Sequence, residues 1–166
     1  MFVIHATKKL RDRVHEEPDS TAARSTTALG AWYATVLFWK PQIALFVNET
    51  TLLPVFVPLA PAATVVERFP EHLRATLQAH SIDPTFISAE MAAMTEHRLA
   101  KTANRSVVGI MNEFTHLARY AHPPAGPAEL IDLSRWLAQT PCSPLYGRHV
   151  SPDCELRAFV AEHRTK

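Results

Sequence analysis

Two hydrophobic rhythms divide this chain. Residues 2–6, 31–39, 42–48 and 52–57 are short runs dense in β-branched and aromatic side chains, the composition and length of strands. The separators Lys40-Pro41 and Asn48-Glu49-Thr50 span hairpin distances, so the middle three runs read as an antiparallel meander. Pro54 lacks the N–H that a ladder needs, which places the fourth run at a sheet edge or marks a bulge. Beyond Pro58 and Pro61 the spacing lengthens. Val65, Val66, Phe69, Leu73 and Leu77 recur at helical intervals, and a shorter helix is predicted over 88–94, after Asp83-Pro84. Residues 97–101 form a fifth strand. Proline-broken helices follow, one with the stripe Leu130, Leu133, Trp136, Leu137 and one over 154–160. Between the first strand and the meander, Thr7 is placed to cap a basic turn over 8–14, and 16–28 lacks apolar periodicity and reads as a mobile loop.

The pattern predicts a single α+β domain over 1–166. Its sheet would be antiparallel, of about five strands, with helices packed mainly on one face. Trp32, Ala34, Val36 and Phe38 alternate with Tyr33, Thr35, Leu37 and Trp39, so both faces of that strand carry large apolar groups. A strand buried on both sides explains this better than a base-stacking platform.

The sharpest local feature is the passage from Lys101 to Phe114, where a strand ends in a polar turn and becomes an amphipathic helix reaching about residue 121. On a wheel advancing about 100° per residue, Val107, Ile110, Met111, Phe114, Leu117 and Ala118 share one side. Arg105, Gly109, Asn112, His116 and Arg119 share the other. Asn104 is placed as N-cap. A helix start carries unpaired N–H groups and partial positive charge, so Asn104, Arg105 and Ser106, with Lys101 on the incoming strand, could hold a phosphate or carboxylate. The plainer alternative is a cap beside a surface ion pair. Gly109 would be explained by a close approach of backbone or ligand at that point.

Charge narrows the field only a little. With 17 Lys and Arg against 16 Asp and Glu, the net charge is +1, and nucleic-acid affinity would need a local patch. Lys8, Lys9, Arg11 and Arg13 supply one, opposed by Glu16, Glu17 and Asp19; as bare sequence they also fit a solvated helical face. Two cysteines without a disulfide framework point to the cytoplasm. No run approaches the roughly 18 apolar residues of a membrane span.

Candidate chemistry is sparse. Glu49 could act as a general base with His116 or His5 as acid partner, although Asn-Glu is also ordinary turn chemistry. Cys142, His149, Cys154 and His163 have zinc-binding atoms, but their spacing matches no short-loop knuckle, so no metal site is expected. Cys142 has no identifiable histidine partner and reads as an inert thiol. No cofactor fingerprint is legible. The ligand residues expected are Lys8, Lys9, Lys101, Asn104, Arg105, Ser106 and Asn112, for a nucleotide or RNA. The rival expectation is a protein partner covering the edge near Pro54 or the C-terminal helices, with Trp136 and Leu137 exposed.

One resemblance is carried by a set of motifs: Thr7-Lys8-Lys9-Leu10, Gly30-Ala31-Trp32-Tyr33-Ala34, Leu45-Phe46-Val47-Asn48-Glu49 with Thr51-Leu52 and Pro54-Val55, and Asn104-Arg105-Ser106-Val107 with Gly109 and Met111-Asn112. In that order they resemble a family of small bacterial proteins known only as a domain of unknown function. The resemblance implies a compact domain and carries no reaction, cofactor or residue role.

Overall fold

Every residue except Ala22 and His122 is described by the computed structural model. Its strands are β1 (Phe2–Ala6), β2 (Trp32–Leu37), β3 (Ile43–Asn48), β4 (Pro54–Pro58) and β5 (His97–Lys101), lying in the order β4-β3-β2-β1-β5. β2, β3 and β4 form the expected meander, with Leu37 opposite Ile43 and Phe46 opposite Val55. β1 breaks the antiparallel pattern. It pairs in parallel with β2 on one side and β5 on the other, so that His5 lies between Tyr33 and Ala100. The sheet is therefore mixed rather than antiparallel. Parallel neighbours need a crossover, and α1 (Lys8–Val14) lies in the connection from β1 to β2.

A second correction concerns the layers, because helices pack on both faces of the sheet. On one face Phe2, Ile4, Trp32, Ala34, Phe46 and Val55 meet Leu10 of α1, then Phe69, Leu73 and Leu77 of α2 (Val65–Ala79). Ile87 of α3 (Pro84–Ala93) and Leu156 and Val160 of α6 (Pro152–Arg164) complete that layer. On the other face Tyr33, Leu37, Leu45, Val47 and Phe56 meet Val107, Ile110, Met111 and Phe114 of α4 (Arg105–Ala118). Leu130, Leu133 and Leu137 of α5 (Pro127–Ala138) join them. Successive residues of β2 alternate between the layers, as the two-sided apolar pattern of that strand demands.

Helix boundaries follow capping chemistry. α3 starts earlier than its apolar periodicity implies, because the Asp83 side chain accepts from Thr85 N at 2.7 Å and Pro84 takes the first turn. Thr7 occupies the N-cap position of α1 without capping it; its hydroxyl donates instead to Thr35 Oγ1 at 3.0 Å. β4 is an edge strand, as Pro54 indicates, and α5 reaches that edge through a hydrogen bond from the Ser134 hydroxyl to the Pro54 carbonyl. At the opposite edge, Asp19 N donates to Leu99 O at 2.8 Å, and Arg98 pairs with Asp19 at 2.8 Å. Thr26 N donates to Met1 O and Val3 N to Ser25 Oγ, each at 2.9 Å. Asp19 is thus tied to β5, and Ser25 and Thr26 to the start of β1.

α2 ends on a buried histidine. His80 is 5 % exposed, and its Nε2 has no hydrogen-bond partner among the described residues. Burial, reinforced by the Arg157 charge, pushes the imidazole from its ordinary 6.5 down to about 4. Above pH 6.5 the folded and unfolded chains both hold this ring neutral. As pH falls from 6.5 to 4 the unfolded chain takes up a proton that the folded chain refuses, so stability declines across that window and levels off below it. The loss should reach about 2 kcal/mol by pH 5. Urea titrations at pH 7 and pH 5 of wild type and His80→Gln measure it. An equally steep decline in the variant would assign the acid sensitivity to another group.

Candidate functional site

β1 and β5 end in register, Ala6 opposite Lys101. From that shared end the chain departs to opposite faces. After Thr7, α1 packs through Leu10 and Val14 into the layer that holds Phe69, and after residues 102–104 α4 packs into the layer that holds Tyr33. When helices following adjacent parallel strands diverge in this way, their first turns flank the ground beyond the carboxyl ends, where open α/β sheets bind ligands.

Three side chains sit together on the α4 side of this end. Tyr33 is 1 % exposed, and a buried phenol needs partners for its oxygen. It accepts from Asn104 N at 3.0 Å, which seats the start of α4 on the ring, and it reaches Glu49 Oε1 at 3.5 Å. Burial raises the phenol above its ordinary value, opposed by the Asn104 N–H and assisted by the Glu49 charge. Tyr33 therefore stays protonated at neutral pH, with its hydroxyl hydrogen available to Glu49. The His5 ring stacks on Tyr33 with centroids 4.6 Å apart and planes inclined by 18°. His5 Nδ1 lies 2.9 Å from Lys101 O. A carbonyl only accepts, so Nδ1 carries the hydrogen and the neutral ring presents Nε2 as a proton acceptor.

The expected ligand residues divide among several places. Asn104, Arg105 and Ser106 are exposed together at the start of α4, whereas Lys101, exposed at the end of β5, follows Leu99 by two positions and so belongs to the face that packs on α1. Asn104 satisfies much of that start itself, its Oδ1 accepting from Ser106 N at 3.0 Å and Val107 N at 3.4 Å. Capacity for an anion there consequently rests on the Arg105 and Ser106 side chains more than on bare amides. Among the described residues no carboxylate pairs with Lys101 or Arg105.

Lys8 and Lys9 open α1 on the opposite face and are otherwise engaged. Lys8 Nζ pairs with Asp12 at 2.7 Å, and Lys9 Nζ lies 5.6 Å from the centre of the Phe38 ring. Asn112 is exposed two turns along α4, away from the cap. His116 is farther still, about 18 Å of helical rise beyond Asn104, with its ring against Tyr120 at 5.6 Å. Glu49 is therefore gathered with Tyr33 and His5, not with His116. Gly109 faces open space, since a Cβ added there would meet nothing within 4 Å; no close approach accounts for it.

Other sequence features resolve structurally. His149 Nδ1 lies 2.6 Å from Glu155 Oε2, His163 stacks on Phe159, Cys154 is exposed and Cys142 is buried. No group of three or more His, Cys, Asp or Glu suited to a metal ion occurs among the described residues. Burial pushes the Cys142 thiol up to about 12, which removes its nucleophilicity at neutral pH. No helix among the described residues is long and apolar enough to cross a membrane. A cavity of about 510 Å³ lies against β5, lined by Glu16, Glu17, Asp19, Glu96 and His97. Another of about 240 Å³ lies between α2 and α5, against Phe56, His72, Thr76 and Leu130. Neither includes His5, Tyr33 or Arg105.

Tyr33 is the member of the site that the sequence does not announce. Its position in an apolar run marks it as core, and only the rule that a buried phenol seeks a polar partner hints at more.

Residues 3–155 match the model of a family described as Domain of unknown function (DUF6933), and the chain belongs to that family. No curated protein and no solved structure matches the chain.

Proposed function

We propose that this DUF6933 member binds a phosphate-bearing ligand, a nucleotide or RNA, at the carboxyl end of β1 and β5. The observation that supports this most directly is the hydrogen bond from Asn104 N to the Tyr33 hydroxyl. It ties the start of α4, with exposed Arg105 and Ser106, to the ring that stacks on His5 and reaches Glu49. A guanidinium with no carboxylate partner among the described residues, beside a hydroxyl, favours an oxyanion at this point, and guanidinium groups bind phosphate through paired N–H donors. Lys8, across the sheet end on α1, would add longer-range attraction if released from Asp12, an exposed pair of little intrinsic strength.

Titration of short RNA, nucleotides and inorganic phosphate against wild type and Arg105→Ala tests the reading. Binding at low salt is expected to weaken about tenfold in the variant, the loss of one charge-assisted contact, and to fall with added salt. No binding by wild type at low salt, or binding indifferent to the substitution, overturns it.

A second reading, a protein-interaction module, draws support from Trp136, which is 49 % exposed on α5. Its other supports are weaker, since Leu137 is fully buried and α5 already contacts the β4 edge at Pro54. A pull-down that retains a partner in wild type and loses it in Trp136→Ala would favour this reading.

A further inference from the structure

We infer that His5 is the general base of an RNA-cleaving site, a reading that rests on the phosphate binding proposed above and names its substrate and chemistry. The ring is held on two sides. Its Nδ1–H is committed to the Lys101 carbonyl at 2.9 Å, and one face lies on Tyr33 with centroids 4.6 Å apart. Tyr33 is itself held by the Asn104 N–H at 3.0 Å and reaches Glu49 at 3.5 Å. A neutral imidazole with its tautomer fixed by a backbone carbonyl leaves Nε2 as a directed proton acceptor, and His5 is partly exposed rather than sealed in either apolar layer.

Arg105 stands in the first turn of α4, the helix whose start is hydrogen-bonded to the ring on which His5 stacks. RNA is the phosphate-bearing ligand that asks least of such a site, because it carries its own nucleophile beside the phosphodiester. The 2′-hydroxyl gives its proton to Nε2, and the 2′-oxygen forms a bond to phosphorus. The bond from phosphorus to the 5′-oxygen breaks, and the departing oxygen takes a proton from water. The products are a 2′,3′-cyclic phosphate and a 5′-hydroxyl, and the imidazolium returns its proton to solvent. Arg105 would stabilise the charge that gathers on the phosphoryl oxygens in the transition state. Tyr33 and Glu49 are positioning residues, acting through the stack.

The experiment follows an end-labelled short RNA with wild type and His5→Gln purified identically, measuring binding and cleavage separately. Wild type is expected to yield 2′,3′-cyclic ends, and the variant to lose roughly 100-fold or more in cleavage rate while RNA affinity changes by less than about twofold. A strand bearing a single 2′-deoxy substitution, offered to wild type, should be spared at that linkage, a control independent of whether the variant folds. Wild type that binds RNA without cleaving it overturns this inference and leaves the binding proposal standing, as does cleavage that survives His5→Gln or the 2′-deoxy substitution. Failure of wild type to bind RNA or any other phosphate ligand removes both.

Discussion

Phe69→Ala should destabilise the fold by about 3 to 5 kcal/mol, the range for removing a fully buried aromatic side chain. Phe69 has no exposure and sits where α2 meets the centre of the sheet. Its ring stacks on Phe46 at 4.2 Å, meets Trp32 edge-on at 4.9 Å and touches Phe2 at 6.0 Å. These partners come from β3, β2 and β1, so one truncation loosens three strands at once. Close packing elsewhere in the layer leaves little freedom to collapse around the void. Equilibrium urea unfolding measures the change; a loss below about 1 kcal/mol would mean that the layer is far more plastic than its packing implies. Phe69→Leu should recover part of the loss, because most of the volume returns without the stacked geometry.

Asn48→Ala is expected to cost about 4 kcal/mol for a different reason, the stranding of several buried polar groups. The Asn48 side chain is wholly buried. Its Nδ2 donates to Leu29 O at 2.8 Å and Ala31 O at 3.3 Å. Its Oδ1 accepts from Thr50 N at 3.1 Å, Thr51 N at 2.9 Å and the Thr51 hydroxyl at 3.0 Å. That carboxamide therefore organises both the approach to β2 and the turn from β3 to β4, where Leu52 is held at φ 60°, a conformation unfavourable for a branched side chain. Asn48→Asp separates the two halves of the network. It preserves the three accepted bonds but sets a carboxylate against two carbonyl oxygens, so it should also destabilise, while Thr51→Val, which removes one donor to Oδ1 and the acceptor of Leu53 N at 3.3 Å, should cost about 2 kcal/mol. Denaturant midpoints for the three variants provide the ordering, and an Asn48→Ala protein as stable as Thr51→Val would refute the network. Glu49 follows Asn48 directly, so the same turn aims that carboxylate at Tyr33.

The legibility of these features in sequence depends on how far apart in the chain their causes lie. The meander from β2 to β4 was readable because Lys40-Pro41 and Asn48-Glu49-Thr50 are too short to join anything but antiparallel neighbours. β5 was readable as a strand, His97–Lys101, but not as a partner of β1. Nothing local in Phe2–Ala6 specifies which distant segment will pair with it, and the hydrogen bonds of a parallel ladder leave no mark on composition. The alternation of Trp32 and Tyr33 already required helices on both faces, a demand in tension with a sheet covered mainly on one. At the site, the Asn104 cap and its helix followed from residues within one turn of each other. The contact of Asn104 with Tyr33, the stack of His5 on that ring and the commitment of Lys101 O to His5 all join segments brought together only by the finished sheet. Lys8 and Lys9 were adjacent in sequence to the same strand end, yet α1 carries them to the opposite face.

The interior position of β1 has a consequence for the order in which the protein can be made. Translation delivers β1 before either of its neighbours, and the partner on its far side, beginning with His97 opposite Phe2, emerges from the ribosome only after the meander, α2 and α3. During that interval one flank of the nascent strand has its amides and carbonyls unmatched, a template that foreign chains can join. Arrival of β5 closes the flank, and because Lys101 O is the group that orients His5, the same event that ends this vulnerable period also completes the catalytic arrangement proposed here.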